Sequence, residues 1–304
     1  MINLPQEVSF WERGWLSSNN ILLRDASQAI LVDTGYWTHA AQTLELVQAA
    51  LGTQPLTGII NTHLHSDHCG GNAHLQSAYP AATTQIPPGH AAYVFDWDPA
   101  ALTYTPTGQH CPQFAATDVI RDGDCFEVGA THWKAYAAPG HDPNSIVLFC
   151  EATHLLISAD ALWGNGFGVV FPEIEGISAF DEVGATLDLI ETLRPEIVLP
   201  GHGSAFSDVP EAIERARKRL AGFQSNPDKH AMYAAKVLLK FKLLEFQRIS
   251  VEDFLQWSAK SAYMQELKTR YVSHQSFDAW FEELCLGLQS SGAATLENGF
   301  ISNA

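Results

Sequence analysis

The sequence predicts an α/β fold over residues 1–210, followed by a helical segment over residues 211–304. Three observations lead there. Short apolar runs bounded by turn residues alternate with helical stretches. Several of these runs stop at a His or Asp beside Gly or Pro. Beyond Pro210 the apolar period changes to that of consecutive helices.

The elements follow in order. Ala29-Ile30-Leu31-Val32-Asp33 is a strand that ends in Asp33-Thr34-Gly35. Residues 38–51 read as a helix, with apolar positions near Ala41, Leu44, Val47 and Leu51, stopped by Gly52. Gly58-Ile59-Ile60-Asn61-Thr62 is a buried strand, and Gly70-Gly71 begins a helical stretch that ends before Pro80. Residues 87–115 have no clean period and are rich in Pro, Gly and aromatics, including Tyr93, Phe95, Trp97 and Tyr104. A long loop of this kind reads as a lid or pocket-lining insertion. Residues 125–138 form a strand pair around Gly129, 145–150 and 154–158 two strands joined by a tight turn, and 178–193 an amphipathic helix. A last strand at 196–199 precedes Pro200-Gly201-His202-Gly203. Helices then follow at 211–223, 228–246, 251–260, 262–271 and 276–289, and Asn298-Gly299 between apolar residues signals a hairpin. Helices closed by a small hairpin resemble a winged-helix arrangement. A helical cap, or a dimerisation module giving a homo-oligomer, fits the same pattern.

Composition narrows the function classes. A hydrophobic content of 46% is ample for a core, and no apolar run is long enough to span a bilayer. The first seven residues lack a basic region followed by an apolar stretch, so the expected location is cytoplasmic. Five Cys without framework spacing read as reduced thiols. The net charge of −17 is uneven: residues 1–210 hold five Lys/Arg against 23 Asp/Glu, and residues 211–304 hold 12 against 11. An acidic first part repels polyanions, although metal ligands account for some of that charge.

The densest chemistry is Thr62-His63-Leu64-His65-Ser66-Asp67-His68-Cys69-Gly70-Gly71, with four metal-competent side chains in six residues. His63 and His65, at i and i+2 on a strand end, can point the same way, and Asp67 and His68 follow in the turn. His141 in Pro139-Gly140-His141-Asp142, Asp160 in Ser158-Ala159-Asp160, and His202 add three candidates at strand ends downstream. Imidazole with carboxylate suits Zn²⁺ best and also Fe or Mn. Cys69, between ligands, reads as a small packing residue. Trp163, Phe167 and Phe171 follow Asp160 among glycines and, with Trp97, are candidates for the substrate pocket.

The order Thr-His-X-His-X-Asp-His-X-Gly-Gly, then Gly140-His141, then Asp160 after an apolar strand, then Pro200-Gly201-His202-Gly203, resembles the metallo-β-lactamase superfamily. The resemblance covers about residues 8–210, and five elements in the right order make it specific. It implies a four-layer αββα sandwich with a two-metal site at one edge of the sheets. It also implies a first metal on His63, His65 and His141, a second on Asp67, His68 and His202, and Asp160 bridging both. Asp33 matches the early Asp that supports such ligands from behind. Two ions roughly 3.5–4 Å apart would share a water and lower its pKa, with Asp160 and Asp67 as the catalytic carboxylates.

The fold hosts many reactions. Asp160 together with His68 argues against β-lactamases proper, and the glyoxalase II-like and lactonase branches share all seven ligands. The expected activity is therefore hydrolysis of a small ester, thioester or lactone. Three alternatives stand beside it. The C-terminal helices and the cluster Arg215, Arg217, Lys218, Arg219 resemble an endoribonuclease branch that binds RNA. An iron-dependent sulfur dioxygenase would use the three-His metal site alone. A non-catalytic metal-binding regulatory protein would leave an intact ligand set unexplained.

Overall fold

Strands that are apolar on both faces need cover on both sides, and this chain has two sheets of such strands. The computed structural model describes residues 2–304. Six strands form the first sheet in chain order: β1 (Val8–Trp11), β2 (Asn20–Arg24), β3 (Ala29–Val32), β4 (Gly58–Ile60), β5 (Thr83–Ile86) and β6 (Asp118–Val119). The second sheet holds β7 (Cys125–Val128), β8 (Thr131–Ala137), β9 (Ile146–Cys150), β10 (Leu155–Ala159) and β11 (Ile197–Pro200), in the order β11-β10-β9-β8-β7. The β3–β4 and β10–β11 pairs are parallel. Parallel neighbours end on the same side of a sheet, which is how chain segments distant in sequence reach one edge.

The alternation of side chains builds four layers. Ile21 and Leu23 of β2, Leu148 of β9, and Leu155 and Ile157 of β10 pack between the sheets around Trp133. The opposite face of the first sheet, through Leu22, Leu31 and Ile59, meets Val47, Leu51 and Leu75 of the helices Ala40–Leu51 and Asn72–Ala78. The opposite face of the second, through Val147, Phe149, Leu156 and Val198, meets the helices Phe180–Leu193 and Val209–Ser225. The result is the αββα sandwich.

The boundary expected at residue 210 does not coincide with the change in packing. Ala212, Ile213, Ala216, Leu220 and Phe223 belong to the sandwich cluster, and a second cluster gathers the residues from Ala231 onward together with Val169 and Ile174. The helix Val209–Ser225 buries one face in the sandwich and carries its Arg and Lys residues on the other, so the charge sum shifts earlier than the core does.

The C-terminal segment runs through the helix Pro227–Phe246, β12 (Arg248–Ser250), three helices (Val251–Lys260, Ala262–Tyr271, Phe277–Ser290), β13 (Ala294–Glu297) and β14 (Phe300–Asn303). Its sheet order is β12-β14-β13, a winged-helix-like arrangement. Ser250, Ser261 and Ser276 each accept a backbone N–H at a helix start. Asn298 and Gly299 both take positive φ, 52° and 77°, as a two-residue hairpin turn requires. No helix among the described residues is long and apolar enough to cross a membrane.

The segment 87–115 is not a structureless insertion. It forms two short helices, Ala91–Phe95 and Tyr104–Thr107, around a small core of Leu64, Val94, Leu102, Tyr104 and Phe114. Trp97, Tyr104 and Phe114 are spent on that core, while Tyr93 and Phe95 stay exposed, so the aromatics show no common period in sequence. Lys242 ties the long C-terminal helix to this segment: its Nζ donates to Glu245 Oε2 at 2.7 Å and to Gly108 O at 3.1 Å, and Tyr36 OH donates to the same Glu245 oxygen at 3.2 Å.

His230 joins the two cores. Its Nε2 accepts the Val170 N–H at 3.0 Å, and its ring packs between Phe180 and Phe223. Burial pushes it down to about 4 from 6.5. The unfolded chain takes up the proton near pH 6.5, and the folded protein only near pH 4. This stabilisation is therefore complete above pH 6.5 and is lost as the pH falls towards 4, up to about 3 kcal/mol. In denaturant titrations across that window, His230→Gln should lose stability with a shallower pH slope than the wild type. Parallel slopes would count against this assignment.

Candidate metal centre

Most donors in the centre, and Asp33 behind them, sit just past a strand end on the same side of the sandwich. Asp33 follows β3, His63 and His65 follow β4, His141 follows β8, Asp160 follows β10, and His202 follows β11. Asp67 and His68 lie on the short helix Ser66–Cys69, not in an open turn. Behind it, Gly70 and Gly71 let backbones touch: a Cβ on Gly70 would lie 2.5 Å from Ser66 O, and one on Gly71 2.5 Å from Thr34 O.

The structure brings together all seven donors singled out in the sequence. Within three overlapping groups, the ligand atoms lie within 4.8 Å of one another: His63, His65 and His141; His63, His68 and Asp160; Asp67, His68 and His202. His65 Nδ1 is 2.8 Å from His141 Nε2. Asp160 stands in the middle, with Oδ2 3.3 Å from His141 Nε2 and Oδ1 3.5 Å from His68 Nε2 and 3.8 Å from His202 Nε2. Asp67 Oδ2 is 3.2 Å from His202 Nε2.

Hydrogen bonds on the far side fix which nitrogen faces inward. His68 Nδ1–H donates to Asp33 Oδ2 at 2.8 Å, and His141 Nδ1–H donates to Val169 O at 2.6 Å. In its neutral form each ring therefore presents a bare Nε2 to the centre. His63 Nε2 and His68 Nε2 are fully buried and have no hydrogen-bond partner. A buried acceptor left unpartnered is costly, and a divalent cation is the group that these two atoms fit. Asp142 is held as a turn residue, accepting the Asn144 N–H at 2.7 Å, and its other oxygen lies 3.8 Å from His65 Nε2.

Electrostatics favour neutral imidazoles and charged carboxylates, the forms that bind metal. Burial, helped by His141, pushes His65 down to about 4, and burial lowers His63 and His141 as well. Burial alone would raise Asp160, but His202, His68 and His141 outweigh it and hold it well below the carboxylate range. His68 is the exception: burial opposes its charge, but Asp33, Asp160 and Asp67 together raise it. A cation at its Nε2 replaces the proton that those carboxylates attract.

Asp33 supports the ligands without facing the centre. It accepts the Thr62 N–H at 2.9 Å and the Thr62 hydroxyl at 2.7 Å in addition to His68. It holds φ at 57°, a left-handed conformation that Asp tolerates better than most residues. Asp33→Ala should weaken divalent-metal affinity by about 10- to 100-fold, read by competition with a chelating dye. Unchanged affinity would remove this role.

A cavity of about 80 Å³ lies over the donors. Of the pocket candidates, Trp163 and Phe171 line it, together with Val237, Leu238 and Phe241 of the long C-terminal helix. Two other candidates do not line it. Trp97 packs on Tyr104 and Phe114, and Phe167 is buried in the sandwich core against Phe223. The residues that reach the cavity from the 87–115 segment are Thr103, Thr107 and Gln109. Trp15 was absent from the sequence reading, yet its ring stacks on His202, with centroids 5.4 Å apart and planes 4° apart. The neighbouring Asn19 donates to Pro200 O and Gly203 O and so holds the His202 turn. Neither residue has a sequence signal, because both act on a turn about 180 positions away. Cys69 is a buried packing residue, its Sγ 3.1 Å from Tyr104 OH.

The model of the metallo-beta-lactamase superfamily matches residues 13–202. The chain therefore belongs to the metallo-beta-lactamase superfamily. Among curated proteins it is similar to an atrochrysone carboxyl ACP thioesterase of Aspergillus fumigatus, 22% identical over 198 residues, which are 65% of this chain and 54% of that protein. It is also similar to the thioesterase pkgB of Emericella nidulans, 26% identical over 200 residues, 65% of this chain and 49% of that one. The chain spans about half the length of these curated relatives. Among solved structures, a beta-lactamase domain protein from Burkholderia ambifaria shares the fold with a TM-score of 0.60 at 20% identity, covering 100% of this chain and 94% of that one.

Proposed function

We propose that this protein is a dinuclear metal-dependent hydrolase, and that its substrate is a thioester in preference to an ester or lactone. The observation that carries the first part is the pair of orphaned buried nitrogens, His63 Nε2 and His68 Nε2, inside a ring of seven donors under an apolar cavity. The names of the two fungal relatives support the second part.

His63, His65 and His141 would hold one ion, Asp67, His68 and His202 the other, and Asp160 would face both; Zn fits this donor set best, with Fe or Mn as alternatives. Such a pair would supply an activated water and a Lewis acid for the carbonyl oxygen. The chain's own groups do the rest. Phe171, Val237, Leu238 and Phe241 hold the acyl group and keep bulk water from it. Asp67 is ionised: burial would raise its carboxyl, but His68 and His202 outweigh that. Its carboxylate takes one proton as the water oxygen bonds to the carbonyl carbon and delivers it to the sulfur as the C–S bond breaks; the water's other proton stays on the new carboxylic acid and is lost to solvent, leaving a carboxylate and a thiol.

Two of the four residues of the basic cluster considered for RNA are ion-paired within the protein. Arg217 pairs with Asp188 and Glu191, and Arg215 with Asp208. The test is metal content on protein purified without added metal, alongside turnover of thioesters, esters, lactones, β-lactams and single-stranded RNA. Two ions per chain and highest kcat/KM on thioesters is the expected result. One iron per chain with oxygen consumption on a persulfide would overturn the hydrolytic reading.

A further inference from the structure

The space over the donors is small, about 80 Å³, but a groove of about 600 Å³ opens beside it. Trp15, Trp163 and His202 wall both, so the groove continues the cavity outward. Its far wall carries Arg215 and Arg219 together with the carboxylate of Asp208, a net positive set. Arg219, on the helix Val209–Ser225, lies half-buried with its guanidinium 5.4 Å from the Tyr233 ring centroid, and donates one bond, from Nη1 to Phe167 O at 3.3 Å. Among the described residues no carboxylate lies within ion-pair distance of it. A guanidinium has five N–H donors, so most of its capacity is free. Arg215 stands beside it in the same groove, bonded to Asp208 and to Gly164 O. In a chain of net charge −17, a free cation in a groove leading from the metal centre is a local feature that bulk charge does not account for.

We propose that this groove binds the anionic end of the thiol half of an acyl thioester, with Arg219 as the principal anion contact. The inference rests on the thioester reading above. The lining sets the orientation: the apolar cavity beside Phe171, Val237, Leu238 and Phe241 takes the acyl group, and the groove takes the leaving arm along Trp15 and Trp163. The anion is a phosphate monoester, as on a phosphopantetheine arm, or a carboxylate, as on glutathione. Both accept bonds from a guanidinium in the same way.

The test is direct binding to the metal-loaded protein, read by quenching of tryptophan fluorescence. The probes are S-methyl phosphopantetheine, neutral S-methyl pantetheine and S-methylglutathione. At low salt the phosphorylated arm should bind about fivefold more tightly than the neutral one, the scale of one partly exposed ion pair. Added salt should close that gap in the wild type. Arg219→Gln should abolish it, and Arg219→Lys should restore part of it. Tighter binding of S-methylglutathione than of the phosphorylated arm would place a carboxylate in the same site. Equal binding of charged and neutral arms by the wild type at low salt would overturn the proposal, as would a gap that persists in folded Arg219→Gln. The salt titration uses the wild type alone and so stands even if the variants fail to fold. A preserved gap without thioester turnover would sink the thioester reading but leave the anion site; turnover without a gap would do the reverse.

Discussion

Asp160→Ala should lower turnover by about three orders of magnitude, equivalent to about 4 kcal/mol of transition-state stabilisation. It should also reduce bound metal below two ions per chain. The reason is geometric. One carboxylate faces three imidazoles at 3.3, 3.5 and 3.8 Å, drawn from both halves of the donor set. Under the dinuclear proposal, deleting it would leave those halves with no shared ligand and remove a charge that offsets two cations. Asp160→Asn, which keeps the size but not the charge, should fall between the alanine variant and the wild type. The checks are kcat on the preferred thioester and elemental analysis of the purified variants. Two ions and full turnover in the alanine variant would remove the bridging role.

Gly201→Ala should be nearly as damaging, although it adds only a methyl group. A Cβ there would lie 2.3 Å from Asp160 Oδ1 and 3.0 Å from both Ala159 C and His68 Cε1. The backbone has little freedom to retreat: Gly201 N–H donates to Ala159 O at 2.7 Å, and its carbonyl accepts the Asn19 N–H at 2.7 Å. The strain falls on Asp160. Overpacking of this kind costs about 1–3 kcal/mol of stability, and misplacing a reacting group by about 1 Å costs on the order of a hundredfold in rate. A denaturant midpoint and a turnover assay at saturating metal read the two effects separately. Wild-type values in both would mean that the turn can yield.

Much of the sandwich was legible because its signals are local. The apolar runs at 29–33, 58–62, 145–150 and 154–158 correspond to β3, β4, β9 and β10, and the helices Val251–Lys260 and Ala262–Tyr271 have the expected limits. Strands β1, β2, β5 and β6 and the helices Ala91–Phe95 and Tyr104–Thr107 leave no such signal. They are short and lack a distinctive period, so their identity depends on the sheet edges and the small core that they join.

The metal centre divides in the same way. Donor identity was written in the chain: His63, His65, Asp67 and His68 are four donors in one short segment, and His141, Asp160 and His202 each end an apolar run beside small residues. The aim of those donors was not. Asp160 reaches the centre because the β10–β11 register shifts between Ile157 and Ala159, where Ala159 takes a φ of 47°. His68 and His141 present Nε2 because Asp33 and Val169 O hold their other nitrogens. The cavity likewise needed tertiary structure, since its apolar side comes from Val237, Leu238 and Phe241 in a segment with no metal motif. By itself the sequence determined which atoms could bind metal and the class of sandwich that carries them, because residue type and apolar period are local properties. Only the tertiary structure decided which nitrogens face inward, that Trp15 and not Trp97 stands at the site, and that Arg219 looks into the adjoining groove. Those facts depend on contacts between residues far apart in the chain, which no local pattern records.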